Sequence, residues 1–84
     1  MEKKDYNGWK NRQTWNVALW VNNDESLYRS AIEFMGRYKG RAPYTMFIYE
    51  SGMRDDRTPD NIAWLSTRLD YRALNSMMKE LVNA

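Results

Sequence analysis

An all-α domain of three to four helices is the fold this sequence predicts, and three observations predict it. Leu27, Ala31, Phe34, Met35 and Tyr38 recur at helical spacing behind an acidic cap at Asp24 or an Asn23 that can replace it. Leu74, Met77, Met78 and Leu81 fall at i, i+3, i+4 and i+7 behind Asp70. A Trp-rich segment bounded by Asn11 and by Asn22-Asn23 supplies a third apolar element on which these two can pack.

Taken in order, residues 1–10 are polar and charged apart from Tyr6 and Trp9, and Asn7-Gly8 is a turn signal. They read as an irregular N-terminal arm on a single domain spanning residues 1–84. Residues 11–22 admit two readings. Asn11 can cap a helix with Trp15, Ala18 and Leu19 on one face, whereas Trp15, Val17, Leu19 and Val21 also alternate as a strand does. The helix is preferred because Asn22-Asn23 makes a natural stop. In the stretch 24–39, Asp24 and Glu25 open a helix and Arg37 and Lys39 close it, as the helix dipole favours. Tyr28 and Ile32 widen its stripe, and Gly40 takes the position after its end.

Pro43 suits a first helical position and Gly52 the residue after a last one, so 43–51 reads as a short helix in spite of its β-favouring composition. The alternative is an α+β fold with a short strand pair from 14–21 and 44–50. Residues 53–58 form a charged loop, and Thr58-Pro59-Asp60 is a helix-start signature with room for one or two turns over Ile62–Leu65. In the last element Leu69 and Leu74 flank the Asp70 cap as a hydrophobic staple.

At 84 residues a single core is small, and such domains lean on disulfides, metals, partner subunits or dense aromatic packing. The chain has no Cys and no His, which removes disulfides, thiolate metal sites and the commonest general base. Four Trp, six Tyr and two Phe remain as compensation. The net charge of +2 is ordinary, with eight basic and five acidic side chains in residues 1–42 and five and six in residues 43–84. No apolar run approaches the roughly 20 residues of a membrane span, and Met1-Glu2-Lys3-Lys4-Asp5 is not the start of a secretory signal. A cytoplasmic protein without cofactor or metal and without membrane contact is expected.

The segment Tyr6-Asn7-Gly8-Trp9-Lys10-Asn11-Arg12-Gln13-Thr14-Trp15 through Leu19-Trp20, followed by Asn23-Asp24-Glu25 and Leu27-Tyr28, resembles an uncharacterised family of small phage and mobile-element proteins carrying an N-R-x-T-W-x-x-x-L-W segment. Thr58-Pro59-Asp60, Trp64, Leu69-Asp70 and Leu74 are similar to that family's second half, with Leu65-Ser66-Thr67 standing where an acidic-Pro pair is expected. The resemblance implies a phage or plasmid origin, and hence a host-cell cytoplasm, and assigns no site.

Candidate chemistry is sparse. Asp55, Asp56 and Asp60 bring carboxylates near one another, yet Arg54 and Arg57 flank the pair in a polar loop, which reads as solvated. Ser76 and Lys79 lie three apart on a helix with no oriented third group, and no glycine-rich loop cradles phosphate. Trp15, Leu19 and Trp20, and likewise Met77-Met78, read as core rather than as ligand boxes. Arg12, Arg37, Lys39 and Arg41, interleaved with Tyr6, Trp9, Tyr38 and Tyr44, suit a protein interface, single-stranded nucleic acid, or simply core rings beside solvated cations. The expectation is a non-enzymatic accessory protein that inhibits or modulates a host protein by binding it through Trp9, Arg12, Arg37, Lys39, Arg41 and Tyr44. The alternative is a nucleic-acid-binding accessory protein; self-association into a homo-oligomer is compatible with either.

Overall fold

A computed structural model describes residue 6 and residues 8–82. Among these the regular elements are four helices: α1 (Arg12–Asn23), α2 (Glu25–Arg37), α3 (Pro43–Glu50) and α4 (Tyr71–Glu80). The strand-pair alternative is overturned, since 14–21 and 44–50 both lie inside helices. The sole β-type pairing among the described residues is an isolated antiparallel bridge between Arg57 and Ala63. The readings of Met1 to Asp5 and of Asn7 fall outside the described residues.

The alternation in α1 is coincidental. Thr14, Val17, Ala18 and Val21 are buried in an i, i+3, i+4, i+7 stripe, with Asn16 buried beside it. Trp15 and Leu19, expected on the inner face, lie half-buried on its flank. Asn11 caps α1 by accepting from the Thr14 backbone at 2.9 Å. Asp24 then serves two helices at once. Its backbone N–H donates to the Trp20 carbonyl at the end of α1. Its carboxylate accepts from Leu27 N at 3.1 Å to start α2.

α2 buries Ala31, Phe34 and Met35, while Tyr28 is exposed and does not widen the stripe. The helix stops at Arg37, earlier than Gly40 suggests, because Tyr38 turns extended and stacks its ring on Phe34 at 4.9 Å. The Tyr38 hydroxyl accepts from Ala42 N at 3.3 Å, and it lies so close to Gly40 that a side chain there would collide with it. Gly40 thus makes room for a ring instead of capping a helix.

Pro43 opens α3 at its first position. Gly52, at φ +72°, closes it. Gly52 N donates to Tyr49 O and Met53 N to Ile48 O, both at 3.1 Å, which is the paired closure of a Schellman motif. Asp70 caps α4 by accepting from Ala73 N at 3.2 Å, with both staple leucines, Leu69 and Leu74, buried beside it.

The core gathers Val17, Val21, Ala31, Phe34, Tyr44, Phe47, Ile48, Trp64, Leu74 and Met78 from all four helices and the long α3–α4 connection. Thr14 contacts Asp70 and Asn22 contacts Met77, so α1 and α4 run side by side in the same direction. α3 packs on α2 and α4, and its backbone makes no close approach to that of α1.

Candidate functional site

Thr58-Pro59-Asp60 starts no helix. Thr58 is buried, and its hydroxyl donates to Asn16 Oδ1 at 2.7 Å while accepting from Asp60 N and Ile62 N. Asn16, buried on α1, returns a bond from Nδ2 to Asp60 Oδ2 at 2.8 Å, and Trp20 Nε1 donates to the same oxygen at 3.0 Å. These bonds hold the Asp60 carboxyl below its ordinary range, Asn16 contributing most, then Trp20, with the Arg12 charge assisting. A carboxylate so engaged serves to clasp the loop onto α1. Among the described residues no three acidic side chains gather as a metal site would require. Asp55 and Asp56 are exposed.

The arm is held differently. Trp9 N donates to Tyr6 O, and the Tyr6 ring lies 5.9 Å from that of Trp15. This lays Trp9 half-buried over the seam between α1 and α4. Trp9 lines two open grooves, one of about 470 Å³ shared with Gly8, Ala73, Ser76, Met77 and Glu80. The other, of about 160 Å³, is shared with Trp15, Ala18, Leu19, Asn22 and Asn23. Arg12 is exposed at the start of α1, near the Asp60 carboxylate, and lines neither groove.

The expected basic corner is the α2–α3 link. Arg37 donates to Glu50 at 2.9 Å and lies 5.3 Å over the Phe34 ring, so its charge is partly occupied within the fold. The Glu50 hydrogen bond and charge raise its pKa further above an already high value. Lys39 and Arg41 are exposed and make no ion pair among the described residues. Tyr44 departs from the expectation. Pro43 turns it inward, it is wholly buried, and its hydroxyl donates to the Trp64 carbonyl at 2.7 Å. Its place is the core, and burial pushes its phenol upward.

The expected residues therefore divide between two places. Trp9 and Arg12 lie against α1 and α4; Arg37, Lys39 and Arg41 lie where α2 meets α3; no hydrogen bond or ion pair joins the two groups among the described residues. Sequence reasoning missed Met77, Trp15 and Leu19 as groove walls, because helical spacing assigns such rings and thioethers to the core. Met78, the neighbour of Met77, is buried as expected. It also missed that Arg68 and Arg72 join Lys10 and Arg12 at the end where α1 and α4 begin. The Asn11 Nδ2 bond to Arg68 O at 2.8 Å brings that end together. Only the pairing of distant caps reveals it.

Among the described residues no helix is long and apolar enough to cross a membrane. Over residues 2–84 the chain matches the model of a family of unknown function, DUF7249, and it belongs to that family. No curated protein matches it. No solved structure matches it either.

Proposed function

We propose that this member of the family is a small accessory protein of phage type that acts without catalysis, by occupying the surface of a host protein in the host cytoplasm and inhibiting or modulating it. The N-R-x-T-W-x-x-x-L-W segment at 11–20 supports the phage setting through its resemblance to small phage and mobile-element proteins. The observation that carries the binding reading is Trp9. Its half-buried indole lines two open grooves, walled otherwise by Met77 and by Trp15 and Leu19. Trp and Arg are among the anchors that dominate binding energy when a partner excludes water from them, and Met is enriched beside them in interface cores. Arg12 at the start of α1, with Lys39 and Arg41 on the α2–α3 link, supplies exposed cations that can steer an acidic partner. Lacking His and Cys, the chain has few means of activating a nucleophile, which fits a stoichiometric mode of action. Titration of the captured partner with wild type and with Lys39→Glu and Arg41→Glu tests the reading. The variants are expected to keep the wild-type melting curve and to bind more weakly; binding as tight as wild type removes the corner from the surface.

One observation favours a second reading. Lys10, Arg12, Arg68 and Arg72 are all exposed, and the Asn11–Arg68 bond brings the segments that carry them to one end of the molecule. A phosphate backbone is the partner such a cluster suits, and its signature is affinity that falls steeply with salt.

A further inference from the structure

α1 and α4 begin at the same end of the molecule, and four cations stand there. Asn11, the α1 cap, donates from Nδ2 to Arg68 O at 2.8 Å, and the Thr14 hydroxyl accepts from the N–H of Asp70, the α4 cap, at 2.9 Å. Lys10 and Arg12 flank Asn11, while Arg68 and Arg72 lie two residues before and after Asp70. All four are exposed, and none forms an ion pair among the described residues. Two carboxylates lie beside them, and both are engaged. Asp70 accepts from Ala73 N, and Asp60, which feels the Arg12 charge, accepts from Asn16 and Trp20. Asp55 and Asp56 belong to the preceding loop, where Asp55 pairs with Arg54. In the sequence, residues 2–5 carry two charges of each sign and leave the balance as it is. The opposite end, where Asn22 of α1 meets Met77 of α4, carries Asp24, Glu25 and Glu80 against Lys79 and the Arg29 that Glu25 pairs. The small net charge of the chain is therefore polarised along α1 and α4.

We propose that this basic pole binds the phosphate backbone of a duplex nucleic acid. The proposal narrows the second functional reading, on which it rests. Side chains of Asn11 and Asp70 already cap the two helices, so the exposed cations are what a ligand meets. Helices packed side by side lie about 8–10 Å apart, so cations on two helix starts and the loop between them cover more than one anionic group. A duplex strand presents a negative charge about every 3.4 Å along its axis, dense enough to meet several of them at once. Three of the four are Arg, which grips phosphate through two parallel hydrogen bonds. A single strand is held instead by rings on which its bases stack. The rings nearest the pole are engaged: Tyr6 lies against Trp15, Trp9 is half-buried, and Tyr71 donates its hydroxyl to Ser66 O. The exposed tyrosines, Tyr28 and Tyr49, stand on α2 and α3. The α2–α3 link suits phosphate less well. Lys39 and Arg41 are exposed there, but Arg37 is paired with Glu50, and Glu33 is close to it. None of the four pole cations lines a Trp9 groove, so phosphate binding and partner binding are separable by mutation.

Fluorescence anisotropy of labelled probes, titrated with the full chain across a salt series, reads the outcome. The probes are a short DNA duplex, an RNA duplex, the DNA single strand and a polyglutamate of matching charge. A duplex is expected to bind with log K falling against log salt at a slope of about −3 to −4, as four phosphate contacts require. Arg68→Ala and Arg72→Ala are each expected to make that slope shallower by about 1 and to weaken binding several-fold, with the wild-type melting curve kept. Lys79→Ala, at the far end of α4, removes the same charge and is the control, expected to leave slope and affinity unchanged. No binding of any nucleic acid at low salt overturns both the proposal and the phosphate reading beneath it. A single strand bound more tightly than either duplex overturns the proposal alone. Polyglutamate bound as tightly as a duplex overturns it in favour of an acidic protein, and an equal loss from Lys79→Ala overturns the pole as the site. If one Arg variant fails to fold, the other decides.

Discussion

The Thr14 hydroxyl joins the caps of α1 and α4: it accepts from the backbone of Asp70, 56 residues further along the chain, at 2.9 Å. The same hydroxyl donates to Asn11 Oδ1 at 2.7 Å, the oxygen that caps α1. Thr14 is fully buried, so its loss leaves cap groups of both helices short of a partner. Thr14→Val, which keeps the shape, is expected to cost about 1–3 kcal/mol in urea melts. Thr14→Ser, which keeps the hydroxyl, is expected to cost clearly less. Equal stability of Thr14→Val and wild type would show that the link does not hold the helices together.

Asp70→Ala removes the side-chain acceptor of Ala73 N and is expected to cost about 1 kcal/mol. Leu74→Ala and Phe34→Ala, at wholly and almost wholly buried sites, are expected to cost more, about 2–5 kcal/mol each. Denaturation midpoints at constant m-value check the order.

Asp60 gives the fold an acid dependence. Hydrogen bonds from Asn16 and then Trp20 hold its carboxyl below the ordinary value, so the unfolded chain takes up this proton more readily than the folded one. The stabilisation is present above the unfolded carboxyl pKa of about 3.9 and disappears as pH falls through the folded value. Asp60→Asn is expected to flatten part of the decline in melting temperature below about pH 4. It should also remove the accompanying change in Trp20 fluorescence. An acid limb identical in variant and wild type would assign it to other carboxylates.

Tyr44→Phe deletes the buried bond to the Trp64 carbonyl and is expected to cost about 1 kcal/mol, or more if that carbonyl stays dry. Burial raises the phenol, so in an alkaline absorbance titration Tyr44 should ionise only as the fold opens. Tyr44→Phe should then differ from wild type at that step alone.

How much of this was legible in the sequence depended on distance along the chain. Caps at Asn11, Asp24 and Asp70 bond within three residues, and sequence spacing reveals them. Thr58-Pro59-Asp60 carries the same residue types, but its partners are Asn16 and Trp20, more than 35 residues away, and no local rule distinguishes that use from a cap. Tyr38 and Gly40 misled for a related reason, since a ring folding back on Phe34 ended α2 before the glycine was reached. At the candidate surface, exposure of Lys39 and Arg41 followed from their polar link, whereas burial of Tyr44 depended on Trp64 and α4, which only the folded chain brings near.

Affinity capture from lysate of the expressing cell, with and without nuclease, tests the central claim of non-catalytic binding to a protein most directly. Wild type is compared with Arg41→Glu and Trp9→Ala, each first checked for folding because Trp9 also packs on the core. A defined protein retained in near-stoichiometric amount after nuclease treatment, and depleted by Arg41→Glu in a chain that melts as wild type does, is the predicted result. Capture that vanishes with nuclease, or no enriched protein at all, contradicts it.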